Sequence, residues 1–250
     1  MASPVTRPFC LLCTVPRSGS HHLIGELAVA GVGVLAEYLS PYRNARSNPR
    51  SAGVDEETRR RALSDIHAAD ARRAKSRIHE LSGVTAPPQC RGTKLFPDEI
   101  SAILASYDDL ETFFEVRPIR YLYLRRRDVI RQAVSAHVAR WSGRWFRYAG
   151  DPEAGEVPYD FEAIRTFHRK FELGYAALDR LFAQGTEPLV VEYEELVDRP
   201  GAVVARVAEF LGVAADAAYR PGERVLFVRQ AGRTSEALVA RYREDLRAAR

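Results

Sequence analysis

The chain has 250 residues, of which 46% are hydrophobic and 28% charged, so it can bury a large core as an ordinary globular protein does. It contains no run of about 18 apolar residues, which excludes an apolar transmembrane helix. The net charge of +4 is mild and arginines alternate with acidic residues along amphipathic stretches, which argues against a nucleic-acid-binding protein.

The first predicted element is a strand within residues 8–15, a short apolar run bounded by prolines. A polar loop follows at residues 16–20, and apolar residues from Leu23 onward then recur at helical spacing. The first turn of a helix presents unpaired backbone N–H groups and the positive end of the helix dipole. This stretch therefore predicts an anion site where the loop enters the helix.

The side chains of the loop suit phosphate or sulfate oxygens. Arg17 offers a forked guanidinium, Ser18 and Ser20 offer hydroxyl donors, and Gly19 lets the backbone come close to an anion. The loop is not a Walker A motif, because the chain contains no Gly-Lys pair. It is not a tyrosine-phosphatase loop either, because no cysteine precedes Arg17 at that loop's spacing.

The segment after the first helix has a superficial dinucleotide fingerprint, Gly-Val-Gly-Val-Leu-Ala at residues 31–36. We reject that interpretation because the fingerprint must follow a strand and open a helix. We predict instead that the helix ends at Gly31 and that a short strand follows it. This strand would present Glu37 at its carboxyl end, where parallel sheets place ligands.

Residues 40–90 are the least regular part, with one or two amphipathic helices predicted over 55–81. Residues 40–90 are interpreted either as a partly helical lid or acceptor-binding insertion, or as an ordinary helical insertion. Further strands are predicted at residues 91–96, 119–124, 188–193 and 226–228, and further helices at 97–104, from 128 to about 140, at 160–184, at 200–211 and from 234. This alternation predicts a single α/β domain with three layers, α/β/α, around a mainly parallel sheet.

Five stretches, in order, resemble the sulfotransferases that use 3′-phosphoadenosine 5′-phosphosulfate (PAPS), in particular the bacterial family typified by trehalose 2-sulfotransferase. Residues 16–20 resemble the family's Arg-Ser-Gly-Ser loop, and residues 37–39, Glu-Tyr-Leu, resemble its Glu-Tyr/Phe-Phe. Residues 124–135 resemble its Leu-Arg-Arg-x-Asp and Gln-Ala-Val-Ser pattern. Residues 191–200 and 210–212 resemble later family segments. The resemblance implies a P-loop NTPase-like sulfotransferase fold.

The resemblance also implies where PAPS would bind. The loop, including Arg17, would contact the 5′-phosphosulfate and stabilise the leaving phosphate oxygen. Arg125 and Ser135 would hold the 3′-phosphate, although Arg126 or Arg127 is an alternative to Arg125. Residues 227–230 resemble a Phe-Met-Arg-Lys motif only through their Phe and their arginine, so Arg229 is implied as a further nucleotide contact.

The resemblance implies Glu37 as the base that accepts the proton of the acceptor hydroxyl. His21-His22 stands where the family has Thr-Leu. A histidine here, His21 in particular, is interpreted either as a contact to the sulfonate or a second base, or as a structural residue. Lys94 either points into the site or extends to solvent. A zinc site is not expected, because Cys10 and Cys13 face opposite sides of a strand.

Taken together, the sequence predicts transfer of a sulfuryl group from PAPS to a hydroxyl of a small molecule, such as a sugar, a glycolipid or a secondary metabolite. PAP would be the other product, and neither a metal nor nucleic acid would take part. A non-catalytic nucleotide-binding module is the alternative. Three cysteines and a strand that starts near the N-terminus indicate a cytoplasmic protein. A bacterial origin in secondary metabolism is expected, and a homodimer is left open.

Overall fold

The computed structural model describes residues 7–39, 54–68, 88–148, 151, 155–223, 227 and 232–249. Their strands form one parallel sheet in the spatial order β2-β1-β3-β4. The strands are β1 (Phe9–Thr14), β2 (Arg91–Leu95), β3 (Ile119–Arg125) and β4 (Leu189–Glu192). Every residue of β1 is buried, as a continuous apolar run in a central parallel strand predicts.

Helices join the strands and cover the sheet. In the described residues they are α1 (Ser20–Val29), α2 (Glu56–Ala68), α3 (Pro97–Leu104), α4 (Leu110–Phe114), α5 (Val129–Ser142), α6 (Phe161–Phe182), α7 (Tyr193–Asp198), α8 (Pro200–Leu211) and α9 (Arg233–Ala248). None of these described helices is both long and apolar enough to cross a membrane. The short helices α4 and α7 were not predicted; α7 begins directly where β4 ends.

Alternate residues of β1 serve two separate hydrophobic cores. Leu11 and Cys13 pack with residues of α6 such as Phe171, whereas Cys10 and Leu12 pack with residues of α1 and α8. A sheet with an apolar core on each face is the three-layer α/β/α arrangement that the sequence predicts. The carboxyl ends of β1, β2 and β3 consequently meet at one edge of the sheet.

The predicted strand that ends at Glu37 is not a strand. Residues 32–39 instead run beside β2 and form only separate backbone hydrogen bonds with it. The amide of Cys90 donates to the carbonyl of Val32 at 2.9 Å, and the amide of Lys94 donates to that of Ala36 at 2.9 Å. These hydrogen bonds are too far apart to form a β-ladder, but they place Glu37 beside the carboxyl end of β2.

The described part of the irregular region, α2, packs away from the ligand edge of the sheet. Arg59 of α2 donates from Nε to the carbonyl of Phe113 at 2.7 Å and pairs with Glu115 at 2.7 Å. No residue of 54–68 lines the cavity described below. Residues 40–53 and 69–87, where the rest of the proposed lid falls, lie outside the described residues. The last predicted strand also lies outside them except for Phe227, which forms an isolated bridge with Tyr148.

Candidate functional site

A cavity of about 800 Å³ lies at the carboxyl ends of the strands. The loop after β1, the end of β2, the residue after β3 and the start of α7 all contribute to its wall. Among the described residues that line it, one side chain is a carboxylate, that of Glu37, and five are cationic: Arg17, Lys94, Arg126, Arg131 and Arg147. This excess of positive charge favours an anionic ligand.

The loop places the N-terminus of α1 at this cavity and leaves that N-terminus uncapped. Gly19 is the N-cap residue, no side chain caps the helix, and no acidic residue lies in its first turn. The N–H groups of that turn therefore have no partner within the helix, and Gly19, Ser20 and His21 line the cavity. This geometry confirms the predicted placement of a helix N-terminus and makes it a suitable anion site.

Ser18, predicted to donate its hydroxyl to the anion, lies underneath the loop instead. It is fully buried and does not line the cavity. Its Oγ lies 2.6 Å from Oγ1 of Thr14, which donates to the carbonyl of Leu124 at 2.8 Å. Ser18 thus fixes the loop to β1 and β3, and the cavity-facing hydroxyl of the loop is that of Ser20.

Arg17 reaches across the cavity wall to α5. Its Nε and Nη2 donate to Oγ of Ser135 at 3.1 and 2.9 Å, and its Nη1 donates to the carbonyl of Trp145. Burial and the neighbouring Arg126 lower the pKa of Arg17 to about 10, which leaves it charged at neutral pH. Arg17 and Ser135, which the resemblance assigns to different anion sites, are therefore in direct contact.

Arg126 is the member of the arginine triplet that lines the cavity. Its guanidinium stacks on the ring of Tyr193 at 4.6 Å, and its Nη1 donates to the carbonyl of Arg17 at 3.2 Å. Its Nε is buried and has no hydrogen-bond partner in the described structure. A buried donor without a partner is costly, so this N–H is suited to an anion in the cavity.

Arg125, the first choice of the sequence analysis for the 3′-phosphate, does not line the cavity. Its Nη1 lies 3.5 Å from Asp179 and its guanidinium lies over the ring of Tyr123, with 41% of the side chain exposed. Arg127 is also turned away, toward Glu194 at 3.6 Å. The residue immediately after β3, rather than its last residue, therefore faces the site. Arg229 lies outside the described residues.

A relay of hydrogen bonds holds the loop relative to β3, α5 and α6. The amide of Arg126 donates to Oη of Tyr175 at 3.0 Å, and that hydroxyl donates to Oε1 of Gln132 at 2.9 Å. Gln132 in turn donates from Nε2 to the carbonyl of Pro16 at 2.7 Å. Gln132 is fully buried, so the relay fixes the start of the loop with little freedom.

Lys94 at the end of β2 points into the site, which settles the alternative that the sequence left open. Its side chain is 1% exposed, forms an ion pair with Glu37, and donates from Nζ to Oγ of Ser20 at 3.1 Å. Burial lowers the pKa of Lys94, and Glu37 opposes this shift. Glu37, Lys94 and the first residue of α1 thus form one connected group.

His21 lies among aromatic rings that sequence reasoning did not identify. Its ring centroid is 5.3 Å from that of Phe146 and 5.2 Å from that of Phe227, and Trp145 lines the cavity beside them. Burial, reinforced by Lys94 and Arg17, lowers the pKa of His21 to about 3. Its imidazole is therefore neutral and weakly basic. No spacing in the sequence distinguishes these aromatic residues from core residues.

The cysteines do not contribute a nucleophile to the site. Cys10 and Cys13 are fully buried on opposite faces of β1, and burial raises the pKa of Cys13 to about 12. Reactive thiols instead have a lowered pKa and some exposure. Within the described part of the chain, no group of three or more His, Cys, Asp or Glu residues is arranged to bind a metal ion.

Comparison with known proteins identifies one sequence family. The sequence matches the model of the family described as Stf0 sulphotransferase over residues 10–245, which is nearly the whole chain. A search of curated proteins gave no match.

Several solved structures are similar to this one. They include a sulfotransferase from Alicyclobacillus acidocaldarius, 18% identical over 97% of this chain and 94% of that one, with a TM-score of 0.48. A sulfotransferase domain from the curacin biosynthetic pathway is 15% identical over 91% of this chain and 81% of that one, with a TM-score of 0.47. Retinol dehydratase, solved with androsterone and the inactive cofactor PAP, is 13% identical over 98% of this chain and 81% of that one, with a TM-score of 0.44.

Proposed function

The chain belongs to the Stf0 sulphotransferase family, and on that premise we propose that it transfers the sulfuryl group of PAPS to a hydroxyl of a small molecule. The observation that carries this proposal is the meeting of a cationic cavity, an uncapped helix N-terminus and the carboxylate of Glu37 in one place. The first two suit an anionic donor, and the third suits removal of a hydroxyl proton.

The cavity fits the two anionic groups of PAPS. The first turn of α1 supplies N–H donors for the phosphosulfate. A second set of donors lies where Arg17, Arg126 and Ser135 meet, and Nε of Arg126 has no hydrogen-bond partner among the described residues. The volume of the cavity lies within the usual range for small-molecule and cofactor sites.

The chemistry needs positioning and charge stabilisation more than a covalent intermediate. By analogy with phosphoryl transfer, the acceptor oxygen attacks the sulfur in line with the leaving phosphate oxygen. The N–H groups of α1 stabilise the charge that develops on that leaving oxygen. Glu37 takes the proton from the acceptor, and no metal is required.

Glu37 is a better candidate base than His21. The lowered pKa of His21, about 3, makes its imidazole a poor proton acceptor. The carboxylate of Glu37 is one-third exposed and lines the cavity, so an acceptor hydroxyl can reach it. His21 is therefore proposed to shape the cavity between Phe146 and Phe227.

The acceptor is proposed to be a small hydroxylated molecule of the sugar, glycolipid or secondary-metabolite type. Aromatic side chains on one wall of the cavity suit the apolar face of a sugar ring or of a lipid-like molecule. A cytoplasmic location and a homodimer stay predictions from the sequence.

The test is a transfer assay with sulfur-labelled PAPS and a panel of hydroxylated small molecules. We expect label in at least one acceptor and release of an equal amount of PAP. Tight binding of PAP with no label transferred to any acceptor would instead support the non-catalytic nucleotide-binding module. Failure to bind PAP at all would contradict both.

A further inference from the structure

Arg17 has an unusual backbone conformation. Its φ is +67°, in the left-handed region, where a residue with a Cβ is strained. Among the described residues, Glu115 is the other non-glycine residue with a positive φ, and it ends helix α4, a common position for this conformation. Arg17 instead lies in the loop between β1 and α1. Such strain persists only where the surrounding structure holds the residue in place, and it is concentrated at ligand sites.

The two peptide carbonyls that flank the Cα of Arg17 accept hydrogen bonds from outside the loop. The carbonyl of Pro16 accepts from Nε2 of Gln132 at 2.7 Å, and the carbonyl of Arg17 accepts from Nη1 of Arg126 at 3.2 Å. The φ and ψ angles of Arg17 set the relative orientation of these two carbonyls. Bonds from α5 and from the residue after β3 therefore hold Arg17 in its left-handed conformation.

The hydroxyl of Tyr175 connects these two donors. It accepts from the amide of Arg126 at 3.0 Å and donates to Oε1 of Gln132 at 2.9 Å. Because both of those residues also bind the loop, the contacts close into one hydrogen-bond ring, which consists of Pro16, Arg17, Arg126, Tyr175 and Gln132. Burial raises the pKa of Tyr175 to about 12, so its hydroxyl keeps the proton that it donates.

The hydrogen-bond ring has members inside and outside the cavity. Pro16, Arg17 and Arg126 line the cavity, whereas Gln132 and Tyr175 do not. Gln132 is fully buried, and Tyr175 is 7% exposed and packs in the hydrophobic core. Phenylalanine would fill the same core space, so the tyrosine hydroxyl is what this position adds for the loop.

We infer that Tyr175 is a positioning residue for the loop after β1, and that its hydroxyl, through Gln132, holds Arg17 in its left-handed conformation in register with Arg126. This inference rests on the proposed function only in that PAPS is the anion to be bound. Loss of the hydroxyl leaves two buried polar groups without this partner, the amide of Arg126 and Oε1 of Gln132. The loop then loses the arrangement in which its donors are ordered before the anion arrives.

The first arm of the test measures amide hydrogen exchange in the protein without ligand. It compares the parent with Tyr175→Phe, which removes only the hydroxyl, and with Tyr242→Phe as a matched control. Tyr242 is also a buried tyrosine, but its hydroxyl lies 3.1 Å from Nδ1 of His168, outside the hydrogen-bond ring. We expect Tyr175→Phe to speed exchange about three- to tenfold in peptides that cover residues 16–20 and 125–127. The control should leave exchange in these peptides unchanged.

The second arm measures PAP affinity by calorimetry for Tyr175→Phe, Gln132→Leu and the double variant. We expect each single change to weaken binding about five- to twentyfold. The double variant should bind at most about twofold more weakly than the weaker single variant, because both changes open the same ring. Gln132→Glu, which keeps the acceptor and loses the donor to Pro16, replaces the leucine variant if that variant does not fold. Tyr242→Phe should keep the parent affinity while losing a similar amount of stability in urea.

Several outcomes overturn the inference. Exchange in the two loop peptides that is unchanged in Tyr175→Phe, or equally faster in Tyr242→Phe, would show that the hydroxyl does not hold the loop. Parent-like PAP affinity in Tyr175→Phe, or losses that add up in the double variant, would show that the ring does not act as a unit. If the parent itself does not bind PAP, the proposed function fails, and the exchange measurement alone decides whether Tyr175 positions the loop.

Discussion

Gly19 and Tyr193 are so close that a side chain at position 19 would collide with the tyrosine ring. A Cβ on Gly19 would lie 2.2 Å from Cδ2 of Tyr193, and the backbone φ of Gly19 is +93°. The ring that packs here is also the one on which the Arg126 guanidinium stacks. Gly19 therefore lets α7 close directly onto the anion loop, and Tyr193 links the loop to Arg126.

This contact predicts that Gly19→Ala is more destabilising than backbone strain alone explains. Gly185 is a matched control, because its φ is +104° and no atom lies within 4 Å of a Cβ there. We expect Gly185→Ala to cost about 1 kcal/mol from strain, and Gly19→Ala to cost a further 1–3 kcal/mol, roughly, from overpacking. Urea unfolding of both variants measures the difference. Equal losses would show that the loop can move away from Tyr193.

Asp128 connects the helix that carries Ser135 to the C-terminal helix. Its Oδ1 accepts from the amide of Arg131 at 2.9 Å as the N-cap of α5, and its Oδ2 accepts from Arg131 Nε at 3.1 Å and from Arg243 Nη2 at 2.8 Å. Asparagine keeps the cap and loses the ion pairs, whereas alanine loses both. We expect Asp128→Asn to cost up to about 1 kcal/mol, because the pairs are partly exposed, and Asp128→Ala to cost about 1 kcal/mol more. Unfolding experiments that give the two variants equal stability would exclude the cap as a contributor.

The lowered pKa of His21 predicts a loss of stability in mild acid. Burial holds the folded-state pKa near 3, below the ordinary value of 6.5, so the unfolded chain binds the proton more readily between these two values. Stability contributed by neutral His21 is thus complete above pH 6.5 and declines as the pH falls toward 3. Between pH 8 and pH 5 we expect a loss of at most about 2 kcal/mol from this residue. His21→Gln should reduce the pH dependence measured by urea unfolding; an unchanged dependence would mean that His21 is not desolvated in solution.

The sequence predicted the sheet and the anion loop because both depend on local patterns. The apolar runs of β1 and β3 and the small residues around Gly19 are visible without any tertiary contact. The choice among Arg125, Arg126 and Arg127 was not predictable, because it depends on where β3 ends against β4. Arg125 lies opposite Glu192 at the last paired position of β3 and β4, and only the next residue, Arg126, lines the cavity.

Tertiary contacts also decide where the two loop serines lie. Ser18 and Ser20 are equivalent as hydroxyl donors in the sequence, but Thr14 binds the first under the loop and Lys94 binds the second at the cavity. The aromatic residues around His21 were not predicted from the sequence for a related reason. Phe146 and Phe227 lie far apart in sequence, and only the fold brings both to His21.

The most direct test of the proposed sulfuryl transfer is the rate of label transfer from PAPS to its acceptor by Glu37→Gln, with PAP affinity measured on the same samples. Glutamine keeps the shape of the side chain and removes its basicity, so we expect a rate lower by about 10²–10⁴-fold and a nearly unchanged PAP affinity. Transfer by Glu37→Gln at the parent rate, together with loss of transfer in His21→Ala or His22→Ala, would contradict the assignment of Glu37 as the base and assign the base to a histidine.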